Sequence, residues 1–173
     1  GRQTHGSRPW GGVDPIVAAA EIVTSAQNIV SRRQNLTKQP IVVSFGAING
    51  GIRYNIIPDS VELVGTIRTF DDDMRAQAFK DLANVAEHVA AAHGATVVAK
   101  IPDTVGNPVT VNNPALTARV LPSLKKVAGA EVVEMTLTAG AEDFAYFAKE
   151  VPGFFFFVGA TPKGVDTGSA PSN

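Results

Sequence analysis

The sequence that decides the fold is SVELVGTIRTF, residues 60–70, in which apolar and polar side chains alternate. One side of this segment would carry Val61, Leu63, Gly65 and Ile67, and the other Glu62, Thr66 and Arg68. A period of two residues predicts a β-strand with one buried face. The preceding segment PIVVSFGAI, residues 40–48, predicts a second strand, which the turn signal Asn49-Gly50-Gly51 closes.

One helix is predicted before these two strands in the sequence and another after them. The pair Asp14-Pro15 is typical of a helix start, and apolar residues at helical spacing extend this first helix to about Gln34. The run Asp71-Asp72-Asp73 favours the start of a second helix, which Gly94 ends. Residues 95–101 are apolar enough to predict a further strand.

The predicted order is therefore helix, strand, strand, helix, strand. One more strand before residue 1 would complete a ferredoxin-like β-α-β-β-α-β domain of the α+β class. Without that strand a sheet position stays unpaired, and exposed sheet edges invite partners. We therefore expect the native chain to extend upstream of Gly1, so that the first strand is truncated in this sequence.

A second segment begins after the linker-like residues 102–114, which are rich in Pro, Gly and Asn and have no period. Its predicted elements are a helix at 115–127 that Pro122 would end or kink, a strand at 131–137, a short helix at 141–150 and a buried strand at Phe154–Val158. These strands are too few to close an α/β sheet. We predict a domain at 1–101 and, at 102–173, the C-terminal piece of a larger α/β domain.

Composition excludes several classes of partner and site. The formal charge of −1 and the pI near 6.3 provide no basic field for nucleic acid or for a membrane surface. The absence of cysteine excludes disulfides, thiolate–metal sites and cysteine nucleophiles within this sequence. Cytoplasm and periplasm both suit such a chain.

Three motifs carry candidate chemistry, and the first is GRQTHGSRP, residues 1–9. A histidine among Gly, Ser and Pro would lie on a loop, where His5 can reach a ligand. In the second motif, the amide of Asn55 can donate to a carbonyl oxygen on which charge develops, and Arg68 can hold a carboxylate. The alternative interpretations are a surface histidine that helps to cap a turn, a turn asparagine and a solvent-facing arginine.

The third motif is TAGAEDF, residues 138–144. A loop of small residues that enters a helix exposes backbone N–H groups and can bind an anion. The adjacent acids Glu142 and Asp143 also match the ordinary preference for negative charge in the first turn of a helix. His88 and His93 are five residues apart, which places them on different sides of a helix rather than on one metal ion.

Taken in order, these motifs resemble a known family. The matching segments are Thr4–Pro9 with Gly12–Pro15, Asn55–Pro58 with Gly65–Arg68, and Gly140–Phe144 with Pro152-Gly153 and Val158-Gly159. The chain resembles the dinuclear zinc amidohydrolases and exopeptidases, which include aminoacylase, carboxypeptidase G, succinyl-diaminopimelate desuccinylase, and hippurate and auxin-conjugate hydrolases. The resemblance implies a lid domain that forms a homodimer, followed by part of a zinc-peptidase catalytic domain.

The resemblance also implies roles for individual residues. In the complete enzyme two zinc ions (or cobalt or manganese) would polarise the amide of an N-acyl amino acid or small peptide. His5 would reach across the dimer to the tetrahedral oxyanion with help from Asn55, and Arg68 would hold the substrate carboxylate. The pocket would be lined by Gly140, Ala141 and Glu142. The metal ligands would lie before residue 1 and after residue 173, so this stretch alone would have no metal site and no activity.

An alternative of another class stays open at this point. The chain would then be a noncatalytic ferredoxin-like dimerisation or regulatory module that binds a small carboxylate, such as an amino acid, through Arg68.

Overall fold

A computed structural model describes residues 1–161 and Gly164. Its strands and α-helices are, in chain order, β1 (Thr4–His5), α1 (Pro15–Asn28), β2 (Ile41–Gly50), β3 (Ile56–Ile57), β4 (Val61–Thr69), α2 (Asp72–Ala92), α3 (Pro114–Ala128) and α4 (Phe144–Glu150). Shorter helical turns occur at Pro9–Gly11, Ile29–Arg33 and Gly129–Glu131. This mixture of helices and antiparallel strands confirms the predicted α+β class.

The longest strand pairing is the antiparallel β2–β4 hairpin, which confirms both strands predicted around residues 40–70. Its register runs from Ile41 opposite Thr69 to Gly50 opposite Val61. The register shifts between Phe45 and Ala47, opposite Gly65. A Cβ at position 65 would collide with the Ser44 carbonyl oxygen, so the close approach of the two backbones at this bulge requires glycine.

Two long helices cover the hairpin, and both begin where side chains cap them. The Asp14 carboxylate accepts a hydrogen bond from the Ile16 N–H at 2.8 Å, and the Asp71 carboxylate accepts one from the Met74 N–H at 2.9 Å. The helices contact each other and the hairpin. The buried cluster between them consists of Ala26, Ile29, Ile41, Val43, Met74 and Ala78. The alanines lack bulk, which allows the helices to pack closely.

Three predicted strands, at 95–101, 131–137 and Phe154–Val158, are wrong, because the structure has no strand there. A strand exists only through hydrogen bonds to a neighbouring strand, and in the described part of the chain β2 and β4 pair only with each other. At Phe155 the side chain of Asn112 makes the backbone hydrogen bonds that a neighbouring strand would make in a sheet. The Asn112 amide donates to the Phe155 carbonyl at 2.8 Å, and its oxygen accepts from the Phe155 N–H at 2.7 Å. The four-stranded ferredoxin-like sheet is therefore not formed within these residues.

Two predicted helix boundaries also need correction. The helix α3 continues through Pro122 to Ala128. Pro122 lies on an exposed part of the helix, where water can donate to the backbone carbonyl that the missing proline N–H leaves without a partner. The helix α4 begins at Phe144 rather than at residue 141.

The chain divides into two compact units. One comprises Gly1–Val109 together with Met135–Glu142, and the other comprises Thr110–Glu134 together with the residues from Asp143 onward. The assignment of one domain to 1–101 and another to 102–173 stays a prediction, and the C-terminal stretch 168–173 lies outside the described residues. No helix in the described part of the chain combines the length and hydropathy that crossing a bilayer requires.

Candidate functional site

The strand pairing β1–β3 joins two of the predicted site residues that are far apart in the sequence. His5 lies opposite Ile56, and Thr4 lies opposite Ile57. The Gly6 N–H donates to the Asn55 carbonyl at 2.8 Å. His5 and Asn55 therefore lie next to each other, and we refer to them below as the His5–Asn55 pair.

Residues 2–13, which include His5, form a loop whose two ends are hydrogen-bonded to each other just before α1 begins. Two backbone hydrogen bonds of 2.9 Å each link Arg2 and Val13, and the Thr4 hydroxyl donates to the Arg8 carbonyl at 3.1 Å. A Cβ on Gly12 would lie 2.5 Å from both the Arg2 carbonyl oxygen and Thr4 Cγ2, so the closure requires glycine. The sequence predicted a loop here. The structure corrects this prediction by placing a two-residue strand within the loop.

The His5 ring is exposed and lies beside the tight turn formed by residues 5–8. The His5 carbonyl accepts from the Arg8 N–H at 2.8 Å. Within the turn, the Ser7 N–H donates to His5 Nδ1 at 3.1 Å, and Ser7 Oγ lies 2.7 Å from the same nitrogen. Sequence reasoning missed Ser7 as part of the site. The signal was present, because serine hydroxyls frequently bond to groups one or two residues away in turns.

Asn55 is half-buried at the start of β3. Its backbone is held by the hydrogen bond from Gly6, and the adjacent Ile56 N–H donates to the Arg53 carbonyl at 3.3 Å. The Asn55 side-chain amide makes no hydrogen bond to any described residue. It is therefore available as a donor. The loop before it presents fully exposed Ile52 and Tyr54.

Arg68 lies on β4, opposite Val42, and is half-buried. It makes no ion pair with any carboxylate of the described residues, and no hydrogen bond links it to His5 or Asn55. Asp71, three residues further along the chain, is paired with Lys38 and accepts from its Nζ at 2.6 Å. The Arg68 guanidinium is thus a cation without a carboxylate partner in the described part of the chain.

The sequence neighbours of Arg68 and of the His5–Asn55 pair pack near opposite ends of α1. Ile67, next to Arg68, packs on the core that contains Ile29, at the end of α1. Thr4, next to His5, packs against Gly12, just before α1 begins. The 14 residues of α1, at ~1.5 Å per residue, separate these ends by about 20 Å.

The loop with Gly140, Ala141 and Glu142 belongs to the same compact unit as His5. Gly140 and Ala141 are exposed, Glu142 is half-buried, and nothing lies within 4 Å of a Cβ built on Gly140. The helix starts only at Phe144, so Glu142 precedes its first turn instead of lying in it. The anion-binding role of this loop stays a prediction.

Other ionisable groups have structural partners. The buried Asp81 accepts hydrogen bonds from Arg33 at 3.1 Å and Gln77 at 3.2 Å, so its charge is paired. His93 Nε2 lies 2.7 Å from the Glu21 carboxylate, and His88 Nδ1 lies 2.7 Å from the Asn84 carbonyl.

Neither a two-metal nor a one-metal site fits the residues that the structure describes. Among them, no three His, Cys, Asp or Glu side chains lie close enough together to hold a metal ion. Zinc, cobalt or manganese would need ligands from other residues.

The pKa values of Asp71, which caps α2, and of its partner Lys38 differ from their ordinary values. A hydrogen bond from Lys38, together with one from the Met74 N–H, lowers the pKa of Asp71 from its ordinary value. The same hydrogen bond raises the pKa of Lys38. These shifts belong to the cap of α2 and not to the His5–Asn55 pair.

The fold and site together define a small α+β domain in which an exposed histidine lies beside a half-buried asparagine. Residues 1–94 match the family model of the peptidase dimerisation domain of M20 peptidases. The chain therefore belongs to the M20 peptidase dimerisation-domain family. This finding confirms the resemblance identified from the sequence motifs.

The chain is similar to two named enzymes and to one solved structure. It is 36% identical to thermostable carboxypeptidase 2 of Saccharolobus solfataricus over 92% of this chain and 39% of that protein. It is also 36% identical to the N-acetyl-L-cysteine deacetylase of Bacillus subtilis, over 92% of this chain and 37% of that protein. A solved structure from Bacillus subtilis, described as a dinuclear metal binding peptidase from the M20 family, is 28% identical with a TM-score of 0.60, over 83% of this chain and 36% of that one. The chain thus spans about two fifths of the length of the relatives it matches.

Proposed function

We propose that the full-length protein is a hydrolase that cleaves the amide bond of N-acyl amino acids or small peptides, and that this chain provides its dimer-forming lid. The observation that carries the proposal is the joining of His5 to Asn55 through the β1–β3 pairing and the hydrogen bond from Gly6. The relatives support the same class of reaction, since one is named a carboxypeptidase and another a deacetylase of an N-acetyl amino acid.

The proposed role of the pair is to bind the oxygen that becomes negative during the reaction. Amide hydrolysis passes through a tetrahedral intermediate, and hydrogen-bond donors held in place around its oxyanion lower the barrier. The His5 ring and the Asn55 amide are two such donors on adjacent backbone segments. Donors of this kind act strongly only where water is excluded, and the His5 ring is exposed in the single chain. A second surface must cover it, and a homodimer supplies that surface.

Arg68 is proposed to hold the carboxylate of the substrate through the two-pronged geometry of its guanidinium. The neighbours of Arg68 and of the His5–Asn55 pair pack near opposite ends of α1, whose 14 residues span about 20 Å, and this length exceeds the reach of one small substrate. We therefore assign the two elements to different active sites of the dimer. Each site would combine Arg68 of one subunit with the His5–Asn55 pair of the other.

The remaining parts of the site complete the proposal. The loop with Gly140, Ala141 and Glu142 would line the pocket. Two metal ions, zinc or else cobalt or manganese, would be bound by residues outside the described part of the chain, as the description of the Bacillus subtilis structure supports. In this proposal the chain contributes dimer contacts, oxyanion donors and a carboxylate-binding cation.

The test is hydrolysis by the purified full-length protein supplied with zinc or cobalt. A panel of N-acetyl and other N-acyl amino acids with several dipeptides should release free amino acid from at least one member. An absence of release across the panel would contradict the proposal. In that case, calorimetric binding of free amino acids that Arg68→Ala abolishes would favour the noncatalytic carboxylate-binding module.

A further inference from the structure

The turn after β1 gives the His5 ring two neighbours on one nitrogen. The Ser7 backbone N–H points at Nδ1 over 3.1 Å, and Ser7 Oγ lies 2.7 Å from Nδ1. Both groups come from the same residue, two positions along the chain. The opposite ring nitrogen, Nε2, makes no hydrogen bond to any described residue.

These contacts decide where the proton of the neutral ring lies. A neutral imidazole has one N–H donor and one acceptor nitrogen. A backbone N–H can only donate, so the nitrogen that it addresses must be the acceptor. The Ser7 hydroxyl can rotate to donate to the same nitrogen. Nδ1 is therefore unprotonated, and the proton is on Nε2.

We propose that Ser7 is a positioning residue that holds neutral His5 in the tautomer with its proton on Nε2. The inference rests on the proposed function, because the Nε2–H is then the donor that His5 offers to an oxyanion. Nδ1 and Nε2 lie on opposite sides of the ring, so fixing Nδ1 against the turn also directs the Nε2–H away from it. Ser7 acts through His5 and has no contact with substrate in this scheme.

A second histidine of the same chain has the opposite arrangement. His88 Nδ1 lies 2.7 Å from the carbonyl oxygen of Asn84. A carbonyl oxygen can only accept, so Nδ1 of His88 must carry the proton. His5 and His88 are both exposed and should show opposite tautomers. His88 is thus an internal reference for any measurement on His5.

Nuclear magnetic resonance of protein labelled with ¹⁵N-histidine tests the tautomer directly. The ring signals are assigned by their loss in His5→Gln and His88→Gln. We expect an unprotonated Nδ1 and a protonated Nε2 for His5, and the reverse for His88. In Ser7→Ala the backbone N–H remains and only the hydroxyl contact is lost, so the His5 ring nitrogens should shift part of the way toward the average of the two tautomers. Ser7→Thr, which keeps the hydroxyl, should retain the wild-type pattern.

The activity of the full-length enzyme provides a second readout. Ser7→Ala should lower kcat about 10-fold with little change in KM, in line with the loss of other residues that orient a catalytic group. Ser7→Thr should restore most of kcat. Ser31→Ala is the matched control, because the Ser31 hydroxyl donates only to the Gln27 carbonyl at 3.1 Å on the exposed face of a helix.

The outcomes separate this inference from the proposed function. A His5 proton on Nδ1 would overturn the inference, and a Ser7→Ala variant with wild-type ring shifts would overturn the role of the Ser7 hydroxyl, even in an active enzyme. An inactive full-length protein would instead contradict the hydrolase proposal, while the tautomer measurement would still decide between supporting and overturning the role of Ser7.

Discussion

The β1–β3 pairing and the β2–β4 hairpin are strand pairings of one chain that are stabilised in different ways. The hairpin has nine register pairs and lies on the buried core between the two long helices. The β1–β3 pairing has two register pairs and depends on turns, on the Arg2–Val13 bridge and on the hydrogen bond from Gly6. The comparison indicates that the hairpin provides stability, whereas the short pairing holds His5 and Asn55, the proposed oxyanion donors, next to each other.

The largest expected effect is on catalysis. It tests whether a residue of the β1–β3 pairing affects activity without affecting stability. In the full-length enzyme, His5→Ala should lower kcat by roughly 10²–10³, as loss of one oxyanion donor does elsewhere. The melting temperature should stay within error of wild type, because the ring is exposed. His88→Ala is the control, since His88 is an exposed histidine on α2. An unchanged kcat in His5→Ala would remove His5 from the mechanism.

Subunit mixing tests whether the two ends of α1 serve different active sites. His5→Ala and Arg68→Ala should each be nearly inactive as homodimers. Co-expressed in equal amounts they should regain about a quarter of wild-type activity, because half of the random dimers carry one intact site of two. A mixture that stays as inactive as its parents would show that both residues act in the same chain's site or that neither acts across the dimer.

The next effect concerns the stability of the hairpin. Gly65→Ala should lower the free energy of unfolding by about 1–3 kcal/mol, because the added Cβ meets the Ser44 carbonyl and the strands must separate. Urea denaturation measures this loss. Gly46→Ala lies on the opposing strand with nothing within 4 Å of its Cβ and should have a much smaller effect. Equal losses in the two variants would contradict the steric explanation.

The smallest expected effect is a pH-dependent one at the start of α2. The pKa of Asp71 is lowered, so the stability that this carboxylate contributes is present above its unfolded value of 3.8 and is lost as pH falls through its folded pKa. The pKa of Lys38 is raised, so the lysine's contribution is present below 10.5 and is lost at higher pH.

Asp71→Asn isolates this ion pair, because asparagine is also a good helix cap. The variant should melt slightly below wild type at neutral pH, and the difference should vanish in acid below the folded pKa of Asp71. Both side chains are solvent-accessible, so the difference should also shrink in high salt. A difference that persists unchanged in strong acid would contradict the role of the carboxylate charge.

Local patterns predicted the elements that pack around the core. The first helix, the two hairpin strands and the second helix follow from period and capping, and the structure has them close to the predicted bounds. These signals extend over a few residues and include the caps at Asp14 and Asp71. The same reasoning failed for 95–101, 131–137 and Phe154–Val158, because an apolar run becomes a strand only beside a partner, and the sequence pattern does not reveal the partner.

The sequence likewise indicated some residues of the candidate site and missed others. Residue chemistry singled out His5, Asn55 and Arg68, and their catalytic and binding roles stay predictions. It missed Ser7, whose contact with His5 depends on the geometry of one turn. It also placed Glu142 in a helix that begins only later in the chain.

The sequence by itself determined the α+β class, the helix starts and the set of side chains able to stabilise an oxyanion or bind a carboxylate. These properties depend on side-chain type and on neighbours within a turn or two. Only the tertiary structure decided that Asn55 lies beside His5 and that the neighbours of Arg68 pack near the other end of α1. Such distances depend on loop closure and on backbone contacts that only Gly12 and Gly65 permit, and these couple segments that are remote in the chain.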